Sequence, residues 1–145
     1  YMQDDGFEDK ELIHVDEIPK RERPLNQNWS WDKILRSPYI KQGDFVQGIY
    51  YFEDEFSDEF IKNHFEFYEK YTVHESSLSA SIHSVVASHV NQIDKSYKYF
   101  LRSSRLDLDD YNKEIEQGLH ITSMAGSWIA LVEVDSDQNY LVNRY

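Results

Sequence analysis

The sequence predicts an all-α chain. Three observations carry that reading. Apolar residues recur at helical spacing in five stretches, no run of β-branched residues stands between them as a parallel sheet would need, and polar or glycine-bearing segments separate them.

Residues 1 to 25 read as an extended lead-in. Asp4-Asp5-Gly6 marks a turn, the apolar Leu12, Ile13, Val15 and Ile18 are irregularly spaced, and Pro19 and Pro24 block a long helix. A polar segment with two tryptophans, Trp29 and Trp31, follows. Trp31, Ile34 and Leu35 start a short helix that must stop before Pro38. From Asp44 to about Asp54, Phe45, Val46, Ile49, Tyr50 and Phe52 mark the first of the five helices. Ser57 is placed to cap the second, with Asp58 and Glu59 favourable to its dipole and Phe60, Ile61, His64, Phe65 and Tyr68 on one side. The third covers about Leu78 to Val90, with Ser77 or Ser79 as the candidate cap. The fourth opens near Asp94 and is expected to bury Ile93, Tyr97, Phe100 and Leu101. Leu119 to Glu133 is the last, apolar at Leu119, Met124, Trp128, Ile129 and Val132, with a polar, unpatterned tail from Val134 to Tyr145.

At 145 residues the chain fits one domain. It holds no cysteine, which excludes disulfides, thiolate chemistry and Cys-based zinc sites. The net charge of -12, with no basic stripe, disfavours nucleic acid and anionic membranes as partners. No apolar run spans a bilayer, and the first residues lack the regions of a signal peptide. A mean hydropathy of -0.71 beside an aromatic share of 15% suggests surfaces meant to be covered by further chain.

Two stretches carry candidate chemistry. Val73-His74-Glu75-Ser76-Ser77-Leu78-Ser79 puts a histidine, a carboxylate and hydroxyls at the mouth of a helix, where free N–H groups favour an anion. Gly118-Leu119-His120-Ile121-Thr122-Ser123-Met124-Ala125-Gly126 brings a histidine and hydroxyls to a second helix mouth downstream, and the two are expected to form one phosphate-and-sugar site. Each residue also has a plainer reading. Glu75 and Ser76 can be caps, His120 a half-buried histidine bonded to a neighbouring loop, Lys41-Gln42 a solvated pair, and Trp29 and Trp31 packing residues rather than sugar platforms. Arg105 with Asp107 or Asp109 reads as a loop clamp. His83 and His89 are six apart, off the spacing that would pair them on one helical face, so no metal site is expected.

The order of the motifs is more telling than any one of them. Leu25-Asn26-Gln27-Asn28-Trp29-Ser30-Trp31-Asp32, Ser37-Pro38-Tyr39-Ile40-Lys41-Gln42, Thr72-Val73-His74-Glu75-Ser76-Ser77-Leu78-Ser79, Arg105-Leu106-Asp107-Leu108-Asp109-Asp110-Tyr111-Asn112 and Gly118-Leu119-His120-Ile121-Thr122-Ser123-Met124-Ala125-Gly126 occur in series. From about Gln3 to Glu133 the chain closely resembles the maltose phosphorylase family, which includes trehalose and kojibiose phosphorylases. The resemblance implies part of an (α/α)6 barrel over residues 1–133, incomplete in this chain, with a divergent tail over 134–145.

It also implies the chemistry. Such enzymes cleave an α-glucoside with inorganic phosphate and inversion, giving β-glucose 1-phosphate and a free sugar, without metal or organic cofactor. One glutamic acid protonates the leaving oxygen, and phosphate attacks where an inverting hydrolase places its water. By the resemblance, Lys41, Gln42 and Glu75 contact sugar, while Ser76, Ser77 and His120 hold phosphate. The family's acid lies in a Gly-Pro-Asn-Glu-Tyr-type segment that these 145 residues lack and that is expected before Tyr1. The chain alone is therefore expected to be inactive. The resemblance implies a cytoplasmic, homodimeric parent acting on maltose, with trehalose or kojibiose as alternatives. A non-catalytic helical module that binds sugar or phosphate is the other reading. Ala80, Gly43 and Gln117 depart from the family's usual proline, alanine and acidic residue.

Overall fold

A computed structural model describes residues 13–138. Among them are seven α-helices and no strand pairing beyond one parallel bridge, Ile40 to Thr72. Helices α1 (Leu25–Asn28) and α2 (Trp31–Arg36) are short; α3 (Asp44–Tyr51), α4 (Asp58–Glu69), α5 (Ser79–His89), α6 (Ile93–Ser104) and α7 (Ile121–Gln138) are the five long ones the sequence predicts. The expected turn at Asp4-Asp5-Gly6 and residues 139–145 of the expected tail lie outside the described residues. No helix among the described residues is long and apolar enough to cross a membrane.

The lead-in is less extended than its prolines imply. Short 3-10 turns form at Val15–Glu17 and Lys20–Glu22. Val15 and Ile18 pack with Leu25 and Val73 in a small second core, and the Val15 N–H donates to the Lys70 carbonyl at 2.8 Å. Ser30 caps α2 by accepting from the Lys33 N–H at 3.3 Å. Ser57 caps α4 in the same way, from Phe60, as its position predicts. α3 stops at Tyr51, short of Asp54, and a 3-10 turn at Glu53–Glu55 follows.

The main core joins Val46 and Ile49 of α3, Ile61, Phe65 and Tyr68 of α4, Ile82, Val86 and Ala87 of α5 and Tyr99 of α6. α5 is its axis. Every residue from Ser79 to Ser88 is buried, and the helix packs against α3, α4, α6 and α7. A helix enclosed on all sides needs no single apolar stripe, which is why serines and a histidine alternate with its valines.

Two expectations fail at helix faces. In α6 the buried residues are Ser96, Tyr99 and Ser103, while Ile93, Tyr97, Phe100 and Leu101 are half-buried. In α7, Ser123, Ser127, Ala130 and Val134 are buried, and the apolar Met124, Trp128, Ile129 and Val132 are exposed. Serine-to-serine contacts replace apolar ones here: Ser84 Oγ donates to the Ser96 carbonyl at 2.9 Å, and Ser127 Oγ donates to Ser103 Oγ at 2.9 Å. Small side chains let helix axes approach closely. α7 also continues to Gln138, so the expected boundary after Glu133 falls inside a helix, with Val134 only 1% exposed.

Candidate functional site

Three helix entrances come together at one end of the bundle. The Gly43 N–H, just ahead of α3, donates to Ser79 Oγ at the first residue of α5, 3.2 Å away. Ser77 Oγ, just ahead of α5, lies 2.8 Å from Thr122 Oγ1 in the first turn of α7. The N-termini of α3, α5 and α7 therefore meet, and each arrives with the residues the sequence singled out: Lys41 and Gln42, then Glu75, Ser76 and Ser77, then His120. The C-terminal end of α6 reaches the same place, because Arg102 Nη2 donates to the Val73 and His74 carbonyls at 3.3 and 3.0 Å.

The segment between α4 and α5 is fixed from several sides. The Ile40 N–H donates to the Tyr71 carbonyl, the Val73 N–H to the Ile40 carbonyl, and the Glu75 N–H to the Lys41 carbonyl, at 2.9, 2.9 and 3.1 Å. His74 adopts a left-handed φ of 55° and turns inward, 4% exposed, with Nδ1 2.8 Å from Ser79 Oγ. Its ring meets His83 at 4.4 Å and Tyr99 at 4.7 Å between centroids. Tyr99 donates its hydroxyl to Glu69 Oε1 at 2.9 Å, and Lys95 pairs with Glu69 Oε2 at 2.9 Å. This buried polar set sits directly behind the entrances.

The individual residues land as follows. Glu75 is 8% exposed, and its carboxylate accepts from the Leu25 and Asn26 backbone N–H groups, so it caps α1 rather than its own helix. Neither Ser77 nor Ser79 caps α5, whose N-cap residue is Leu78. Their hydroxyls are committed sideways, to Thr122 and to Gly43 with His74. Ser76 Oγ accepts from the Leu78 N–H at 3.3 Å. Lys41 lines a cavity of about 210 Å³ with Glu75, Asn26, Tyr39 and Trp31, and Trp31 is 75% exposed there. Gln42 does not line it; its amide donates to Asp44 Oδ1 at 2.7 Å. Trp29 is a packing residue, edge-on to Tyr39, with its indole N–H on Glu22. Among the described residues no three His, Cys, Asp or Glu side chains gather as a metal ion would require.

His120 precedes α7, and its carbonyl accepts from the Ser123 and Met124 N–H groups. Gly118, at φ 127°, makes the turn that delivers it, a conformation most other residues avoid. Asp107 holds the histidine at two points: Oδ2 accepts from its backbone N–H at 2.8 Å, and Oδ1 lies 2.6 Å from Nδ1. The His120 hydrogen bond keeps the Asp107 carboxyl below the usual carboxylate range. An ionised Asp107 can only accept, so Nδ1 carries a proton and Nε2 is the nitrogen turned away from Asp107. Glu114 Oε2 stands 3.7 Å from that nitrogen. The loop clamp takes Asp109, which meets Arg105 Nε and Nη2 at 2.8 and 2.7 Å.

The tasks of Asp107, Arg102, Thr122 and His83 are not legible in the sequence, and His74, expected at the polar helix mouth, turns inward onto His83 instead. Asp107 is expected only as an alternative to Asp109 in a loop clamp with Arg105, and its distance to His120 in space is what reveals its task. Arg102 has no partner within its own helix to draw attention to it.

The fold and the site define a class of protein: a domain of helical hairpins that gathers lysine, carboxylate, hydroxyl and imidazole groups at one end. Residues 1–129 match the glycosyl hydrolase family 65 central catalytic domain, and the chain belongs to that family. The maltose phosphorylase of Bacillus subtilis (strain 168) is 56% identical over 132 residues, covering 91% of this chain and 17% of that protein. The alpha,alpha-trehalose phosphorylase of Thermoanaerobacter brockii is 42% identical over 130 residues, 90% of this chain and 17% of that protein. A solved structure assigned as a kojibiose phosphorylase, from the human microbiome, superposes with a TM-score of 0.80 at 39% identity, covering 90% of this chain and 18% of that one. The chain thus spans 17% of the length of these first two relatives.

Proposed function

We propose that this chain supplies the phosphate and sugar contacts of an inverting α-glucoside phosphorylase acting on maltose. One observation supports the reading above the rest: the hydrogen bonds from Gly43 to Ser79 and between Ser77 and Thr122 bring three helix entrances to one place. The 56% identity to a maltose phosphorylase favours maltose over trehalose and kojibiose as the disaccharide. A cytoplasmic, homodimeric parent enzyme without metal or organic cofactor belongs to the same proposal.

In this reading inorganic phosphate rests against the entrances of α5 and α7. Ser76 and Ser77 offer hydroxyl donors, and His120, oriented by Asp107, presents Nε2; protonated there as well, it donates to a phosphate oxygen. Lys41 and Glu75 face the sugar across the cavity that Trp31 borders, with Gln42 beside them. A phosphate oxygen attacks the anomeric carbon as the glucosidic bond breaks, and the leaving oxygen takes a proton from a general acid. The segment that carries that acid in the family is absent from these 145 residues. The chain is therefore expected to bind without turnover.

The test is a ¹H–¹⁵N NMR titration of the chain with inorganic phosphate, run beside a glucose 1-phosphate assay with maltose. Saturable shifts at Ser76, Ser77 and His120 are expected, weakened roughly tenfold by Ser77→Ala with His120→Ala. Phosphate affinity indifferent to both substitutions would defeat the site assignment. Release of glucose 1-phosphate would defeat the missing-acid argument.

A further inference from the structure

The chain has a net charge of -12, yet one of its pockets is walled by cations. Lys20, Arg23, Arg102 and Lys113 line a cavity of about 340 Å³ next to the loop that follows α6. Among the described residues, none of the four forms an ion pair with a carboxylate. Against these four cations the wall sets one carboxylate, that of Glu75, which leaves an excess of positive charge that an anion between them would offset.

Two donors on the same wall are buried and unpartnered: Nε of Arg23 and Nδ2 of Asn112. Asn112 is 5% exposed, and its carbonyl is already used by the Gln27 side chain. Buried N–H groups without acceptors are uncommon and costly. Arg102 spends Nη2 on two carbonyls and keeps its other N–H donors. The carboxylate on this wall, Glu75, is engaged by the Leu25 and Asn26 N–H groups.

We propose that this pocket is a second oxyanion site, which takes a dianionic phosphate group either free or on a sugar. Guanidinium forks and an amide N–H suit phosphate oxygens, and the two exposed lysines add charge at the rim. Tyr111, 48% exposed on the same wall, offers a ring face to a sugar. Ser76, Ser77 and His120 do not line the cavity, so it is distinct from the phosphate position proposed above, while Glu75 borders both this cavity and the one assigned there to sugar.

The experiment titrates the 145-residue chain, followed by ¹H–¹⁵N NMR at about 0.15 M salt, with inorganic phosphate and separately with glucose 6-phosphate. Saturable shifts at Arg23, Asn112 and Lys113 are expected. The exposed double variant Lys20→Gln with Lys113→Gln should weaken them roughly tenfold, while Ser76→Ala with Ser77→Ala leaves them intact. Arg23→Gln should weaken them further, its amide spectrum reporting whether the fold is kept. Tighter binding of the ester, with the margin lost in Tyr111→Ala, assigns a sugar phosphate; equal binding assigns the free ion. Absence of saturable shifts at these residues, an unchanged double variant, or loss of the shifts in the serine variant would each overturn the proposal.

Discussion

His83 lies wholly inside the molecule, 0% exposed, with Nδ1 3.1 Å from the Ser79 carbonyl and no partner on Nε2. A carbonyl only accepts, so Nδ1 bears the hydrogen and the ring is neutral. Protonating Nε2 would bury an unpaired cation, and burial accordingly pushes the His83 pKa down to about 4. His74, edge-on to it, is held well below the ordinary range, chiefly by its own burial and then by the neighbouring His83. The unfolded chain protonates these rings near pH 6.5 and so binds more protons than the folded one between there and about pH 4. Stability must therefore rise with pH through that window and fall as pH drops. His83 alone should cost about 2 kcal/mol between about pH 7 and about pH 5. Urea unfolding at the two values checks this, and an unchanged midpoint would show that the rings find partners the structure does not give them. None of this was legible in the sequence, where His83 is one histidine among six and its neighbours along the chain are serine and isoleucine. His74 was seen as part of a polar mouth, but its inward turn depends on a left-handed backbone that no local pattern announces.

At the scale of elements, α3, α4 and α5 were readable because each buries the apolar side chains that periodicity counts. α6 and α7 were misread at their faces for one shared reason. Their inner surfaces are built from small residues, which carry weak hydrophobic signal yet permit close approach. Gly126 shows how close: a Cβ placed there would meet Ser81 Oγ of α5, and would stand 2.8 Å from Ser81 Cβ. Gly126→Ala should therefore push α7 off α5, costing about 1–3 kcal/mol as overpacking does, although alanine is the better helix former. Thermal or urea unfolding would detect the sign. A stabilised variant would mean that the two helices have room to spare. The same logic explains the exposed Trp128, Met124 and Val132. Once the serine face turns inward, the large apolar residues of α7 have only the outside left. The candidate site was legible in part: the entrances of α5 and α7 were expected to meet, and Ser77 does meet Thr122. Asp107, which orients His120, was not, because the pair stand thirteen positions apart along the chain.

Across the whole molecule, stability should grade outward from α5. That helix is buried at every position from Ser79 to Ser88 and packs against four other helices. Its serines are tied to neighbours, Ser79 to Gly43 and His74, and Ser84 to Ser96. Opening it exposes the core from every side at once, so its amides should exchange only through global unfolding. α2 is the opposite case. It buries no residue, Trp31 and Leu35 are 75% and 74% exposed, and its contacts are chiefly with the four-residue α1. Its hydrogen bonds can open locally at little cost in buried area. Native-state hydrogen exchange should therefore find α5 slowest, α3, α4 and α6 close behind, and α2 fastest by several orders of magnitude. The segment 73–77 belongs with the slow class, because backbone bonds to Ile40 and Lys41 and the Arg102 guanidinium hold it from both sides. Fast exchange at the Val73 and Glu75 amides beside slow exchange in α5 would mean that the helix entrances are not preorganised, and that any anion they receive must first order them.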